Sequence, residues 1–197
     1  MTAHQSTATS ERAHGSQPLL YQHGLLIQEY GALRLLPIAL SHEARLQSSQ
    51  LLNQILADTM ILYSLYKKHH WQMRGPTFEQ LHLLLDKHAG EQLELIDALA
   101  ERVQMLGGVA IADPRHVAEV TTIARPPDGV EEVGAMLSRL LSAHETIITA
   151  VRAAIAQTAQ NGDGGSNDLL MGEVLRTHEQ QVWGVAEHLV DTPLLRA

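Results

Sequence analysis

Apolar positions recur every three or four residues through four long stretches of this chain, the spacing of helices that bury one face. The first, residues 42–71, contains no Gly or Pro, has Ser41 placed as its N-cap, and stops at Arg74-Gly75-Pro76. The second opens on Thr77-Phe78-Glu79-Gln80, a capping-box pattern, and ends at Gly107-Gly108. Asp113-Pro114 starts a short helix through Val120, and residues 125–129 form a Pro/Gly loop. The third long helix covers residues 130–160, with Val133, Met136, Leu137, Leu140, His144, Ile147, Val151 and Ile155 as its core stripe. A Gly-rich, acidic loop over 161–167 leads to the last helix, residues 168–190, whose inner face is Met171, Leu175, Val182, Val185 and Leu189.

The pattern predicts an all-α fold. Residues 41–191 form a bundle of four antiparallel helices, with the short helix in the long connection between the second and third. Residues 1–40 read as an N-terminal tail and extension. Residues 1–17 are small, polar and expected to be disordered, while 19–40 are more apolar and pack on the body with room for one short helix. Residues 192–197 form a C-terminal tail.

Composition narrows the chemistry. Hydrophobic residues make up 45% and aromatics only 4%, which suits aliphatic helix packing better than sheets. There is no cysteine, so any metal must be held by the 12 His and 22 acidic residues. No apolar leader or run of about 20 apolar residues is visible, which points to a cytoplasmic protein without membrane contact. The formal net charge is −8 and the first 40 residues hold no Lys, so weak or absent DNA binding is expected.

Candidate ligands cluster on the second helix. His82 and Asp86 are four residues apart and share a face, as do Asp97 and Glu101, and all four fall within a sector of roughly 100°. His70 ends the preceding helix, near the turn. Two His and three carboxylates suit ferrous iron or zinc. Either pair taken alone reads as a solvated helical face, but helix rise adds a constraint. His82 and Asp97 are separated by roughly 22 Å along the axis, too far for one ion bound at about 2 Å. A second, antiparallel copy crossing near Gly90-Glu91-Gln92 brings each His82/Asp86 end to the other's Asp97/Glu101 end, giving two identical sites on a two-fold axis. Gly90 costs about 1 kcal/mol against Ala in a helix, and its bare backbone lets two helices approach.

The segment YKKHHWQMRGPTFEQLHLLLDKH followed by EQLELIDALAERVQMLGG resembles the signature of the Dps family of miniferritins. The likeness spans residues 45–190 and includes the H-W-x-x-R-G-P turn and the H-x-x-x-D-x(10)-D-x-x-x-E spacing. It implies a ferritin-like bundle assembled as a hollow dodecamer from two-fold dimers. It also implies oxidation of Fe(II), preferably by hydrogen peroxide, and storage of ferric mineral inside. By the same resemblance His70, His82 and Asp86 come from one subunit and Asp97 and Glu101 from its two-fold mate. Together they hold two irons per site, with zinc able to substitute. Trp71, beside a ligand, is a candidate scavenger of stray oxidising equivalents. Acidic residues near the start of the last helix line iron-admitting pores in the family, which makes Asp163, Asp168 and Glu173 candidates here.

Other signals are weaker. Ordinary ferritins carry two Glu-x-x-His motifs in one bundle, whereas this chain has one match, Glu79 to His82. Three His-Glu pairs, at His42, His144 and His178, lack the second His of a zincin, and His144 and His178 read as satisfied core residues. His4, His14 and His23 offer a loose surface metal site. Two rival functions remain on sequence alone: a nucleoid-binding structural protein, and a zinc-binding cage subunit without turnover.

Overall fold

The computed structural model describes residues 24–190. Its elements are α1 (His42–Gln72), α2 (Phe78–Met105), α3 (Pro114–Val120), α4 (Val133–Gln160), α5 (Gly164–Leu169) and α6 (Arg176–Ala186). A π-helical segment, Leu170–Leu175, joins α5 to α6, and a 3₁₀ turn, Glu187–Leu189, ends the last helix. α1, α2, α4 and the α5–α6 unit form the four-helix bundle, and α3 lies across α1. No strand occurs among the described residues. The expectations for residues 1–17, for residues 192–197 and for His4, His14 and His23 lie outside the described residues.

Helix starts follow from side chains where they cap. The Ser41 hydroxyl accepts from the Ala44 N–H at 3.1 Å, and Asp113 accepts from Arg115 N with Pro114 at the first turn. The capping box at Thr77 does not form. Thr77 sits at φ −99°, ψ 14° with no side-chain cap, outside the extended conformation a capping hydroxyl needs. Residues 24–41 contain no helix, contrary to the expected short one. They are extended chain tied to the α2 terminus by Gln28 Nε2 and Arg34 N, both donating to Gly107 O at 2.9 Å. Gly107 has φ +87°, and a Cβ there would lie 2.6 Å from Arg34 O, so both its conformation and its neighbour demand glycine.

The core is aliphatic: Leu52, Leu56, Leu62, Leu85, Leu99, Leu140, Ile147 and Val151 are fully buried, each Leu contributing about 1.5–3 kcal/mol. The predicted α4 stripe is buried or half-buried throughout. The last helix corrects the expectation. Its buried positions are Ser166, Leu170, Val174, His178, Gln181 and Val185, while Met171 is exposed. A steady step of four residues drifts off one line in an α-helix, and the wider π turn keeps Leu170, Val174 and His178 on the core side.

Polar groups pin the long connection. Asp58, fully buried on α1, accepts from Thr121 Oγ1 and Thr122 N at 2.7 Å, from Thr122 Oγ1 at 3.0 Å and from Gln54 Nε2 at 3.1 Å. Asn53 holds the strand-like stretch before α3 with Nδ2 donating to Val109 O and Oδ1 accepting from Ile111 N.

Candidate metal centre

The end of α1 and the start of α2 are latched through two imidazoles. His70 Nδ1 lies 2.8 Å from His82 O, and His82 Nδ1 lies 3.0 Å from His70 O. A carbonyl only accepts, so both Nδ1 atoms carry a proton, and the neutral form of each ring has its lone pair on Nε2. The rings stack at 3.8 Å with 18° between planes, and Phe78 stacks on the other face of His82 at 5.0 Å. Two neutral imidazoles are thereby fixed in the tautomer that a metal needs, with the second hydrogen bond that orients a ligand already made.

Asp86 completes the cluster, its Oδ1 lying 3.9 Å from His70 Nε2. Lys67 Nζ donates to the same oxygen at 2.5 Å. That hydrogen bond, with the charge of Lys67, holds the Asp86 carboxyl below the usual carboxylate range, so it is ionised. The structure thus brings together His70, His82 and Asp86. It does not bring Asp97 and Glu101 to them. Both are exposed on α2, which runs unbroken from Phe78 to Met105. Among the described residues of one chain, no group of three or more His, Asp or Glu side chains is placed to hold a metal ion. Gly90, midway between the two pairs, has open space where a Cβ would stand.

Trp71 lies beside the cluster and is 72% exposed, with the Lys67 ammonium 6.0 Å from its ring centroid. Asp163 faces the interior of the subunit. It is buried, ion-paired to Arg102 at 2.6 Å, and caps α5 by accepting from Ser166 N and Ser166 Oγ. Burial alone would raise its pKa, but the Ser166 hydrogen bonds and the Arg102 charge outweigh it and hold it low. Within the single chain this carboxylate is committed to Arg102 and the α5 cap. Asp168 and Glu173 are exposed.

A second polar cluster occupies the bundle interior. Tyr66 Oη lies 2.6 Å from His144 Nε2 and 3.2 Å from His88 Nδ1, and His144 Nδ1 lies 2.9 Å from His178 Nδ1. His144 is therefore satisfied at both nitrogens, as a core histidine should be, while His178 Nε2 is buried without a partner. Burial holds His88 and His178 at about 4, and pushes His144 well below its usual value. Sequence reading missed Tyr66, His88 and Lys67. His88 does fall three residues after Leu85 on the buried face of α2, which was its visible signal.

Four antiparallel helices displaying His and carboxylates on α2 define a ferritin-like bundle, and comparison with known proteins agrees. The family model described as Ferritin-like domain matches residues 49–195. DpsC from Streptomyces coelicolor superposes with a TM-score of 0.86 at 67% identity, covering 87% of this chain and all of that one. An archaeal Dps homologue from Halobacterium salinarum gives a TM-score of 0.83 at 28% identity, covering 87% of this chain and 95% of that one. The nutrient stress-induced DNA-binding protein of a Synechococcus strain is 32% identical over 169 residues, 86% of this chain and 96% of its own length. The chain belongs to the Dps family of ferritin-like proteins.

Proposed function

We propose that this protein is an iron-detoxifying ferroxidase and iron store, oxidising Fe(II) at sites shared between two subunits of a dodecameric cage. The observation that carries the reading is the latch between His70 and His82. His70 Nε2 stands 3.9 Å from the Asp86 carboxylate, while the remaining carboxylates, Asp97 and Glu101, begin roughly 22 Å from His82 along the same helix. A two-fold mate running antiparallel across Gly90 supplies them. In that arrangement two Fe(II) ions are held by imidazole and carboxylate, and hydrogen peroxide takes one electron from each, leaving two Fe(III) and two hydroxides. The carboxylates balance the growing charge, and Asp168 and Glu173 are the remaining candidates for guiding Fe(II) inward.

The test exploits sharing. His82→Ala and Asp97→Ala chains are each inactive alone in peroxide-driven Fe(II) oxidation. In a mixed dimer one site carries both lesions and its twin carries none, so co-assembled variants regain about a quarter of wild-type activity after random mixing, or half in forced heterodimers. A mixture that stays dead rules out the shared site. Iron bound without oxidation would instead favour the zinc-type cage without turnover. Relatives are named for DNA binding, but the charge of this chain argues for weak binding at most.

A further inference from the structure

The buried Tyr66 array belongs to no ligand set and is costly to keep. Three imidazoles and a phenol from α1, α2, α4 and α6 meet in the bundle interior beside the buried Gln92–Gln181 pair, where apolar residues of similar size would leave fewer polar atoms to satisfy. Its geometry is directional. Oη is 0.6 Å closer to His144 Nε2 than to His88 Nδ1, and 2.6 Å is the length expected of an O–H···N bond, so the phenol is taken as the donor to His144. His144 then carries its proton on Nδ1 and donates it to His178 Nδ1, leaving the unpartnered Nε2–H of His178 at the end of the chain. Tyr66 is one helical turn, about 6 Å along α1, from the ligand His70.

We propose that Tyr66 is a one-electron donor to the iron site, with His144 as the acceptor of its proton. The proposal rests on the ferroxidase reading and concerns the half-loaded site. Peroxide needs two electrons to break its O–O bond, and a single Fe(II) supplies one. Tyr66 supplies the other. Fe(II) becomes Fe(III), peroxide becomes two hydroxides, the phenol becomes a neutral phenoxyl radical, and its proton passes to His144 Nε2. The His144 Nδ1 proton shifts in turn across 2.9 Å towards His178. Before oxidation the proton stays on Tyr66, whose pKa burial raises well above its usual value. Loss of an electron reverses that preference, because the oxidised phenol is a strong acid beside a neutral imidazole. Trp71 is the worse donor despite standing next to His70. Lys67 lies over its ring, and a cation there opposes formation of a positively charged indole radical.

The experiment is freeze-quench electron paramagnetic resonance on the full assembled protein, loaded with one Fe(II) per site and mixed with one equivalent of peroxide. The expected result is an organic radical whose spectrum narrows when the chain is grown with ring-deuterated tyrosine. It disappears in Tyr66→Phe and persists in Trp71→Phe and Tyr63→Phe. In D₂O it shows a coupled exchangeable deuteron, which disappears in His144→Gln. Loading two Fe(II) per site reduces the yield several-fold. A radical unchanged in Tyr66→Phe, a spectrum indifferent to deuterated tyrosine, or no radical in protein that oxidises iron would each overturn the proposal. Should iron not be oxidised at all, the ferroxidase reading has failed separately. Photo-oxidation of the iron-free wild-type protein by a ruthenium sensitiser with persulfate then decides whether Tyr66 yields the same hydrogen-bonded radical, and its absence there ends the idea.

Discussion

Lys67 occupies the carboxylate oxygen that a divalent ion would take. Its ammonium and an iron ion compete for Asp86, so Lys67→Met should tighten anaerobic Fe(II) binding by roughly two- to fivefold, read by titration calorimetry. Weaker binding would mean that Lys67 serves the site in another way. The buried imidazoles give a second expectation. His69, His88 and His178 are held at about 4, and His144 is pushed well below its usual value, in each case mainly by burial. In the unfolded chain each titrates near about 6.5. Between those values the unfolded chain binds more protons, so stability falls as the pH drops from about 6.5 towards 4. Melting temperatures measured across that range should decline steeply, and replacing His69 with Gln should flatten the slope. At this scale the sequence was legible where ligands share one helix: His82 and Asp86 are read from a spacing of four. Contacts between helices were not. Nothing in the sequence places Lys67 against Asp86, or Tyr66 between two imidazoles.

Elements were legible where periodicity is regular. α1, α2 and the short α3 begin and end within a residue or two of their expected limits, because Gly, Pro and capping residues mark their ends. The last helix was not, since a π turn breaks the 3–4 rhythm on which the face was assigned, and a helix start at Gly164 has little propensity behind it. There Asp163 and Arg102 do the organising, a long-range pair that no local pattern reveals. The connection around α3 depends in the same way on Asp58, whose carboxylate gathers four donors. Asp58→Ala leaves Thr122 N and two hydroxyls without their acceptor, and a loss of roughly 2–4 kcal/mol is expected by chemical denaturation. A change below about 0.5 kcal/mol would mean that water replaces the carboxylate there.

With a formal charge of −8 per chain, the proposed dodecamer would carry on the order of a hundred negative charges. DNA should therefore leave the purified oligomer unshifted on a gel at physiological salt, and a clear shift would overturn that expectation. No helix among the described residues is long and apolar enough to cross a membrane. The proposed half-site is legible in the sequence as a distance problem, roughly 22 Å of helix between two candidate pairs, and α2 runs unbroken between them.

The latch between α1 and α2 has a thermodynamic corollary. Both imidazoles have Nδ1 tied to a carbonyl before any ion arrives, so at the proposed site Fe(II) would meet groups that need not be ordered and would bury almost no apolar surface as it docks. The heat-capacity change of Fe(II) binding should accordingly be close to zero, with a binding enthalpy that hardly varies from cold to warm solution.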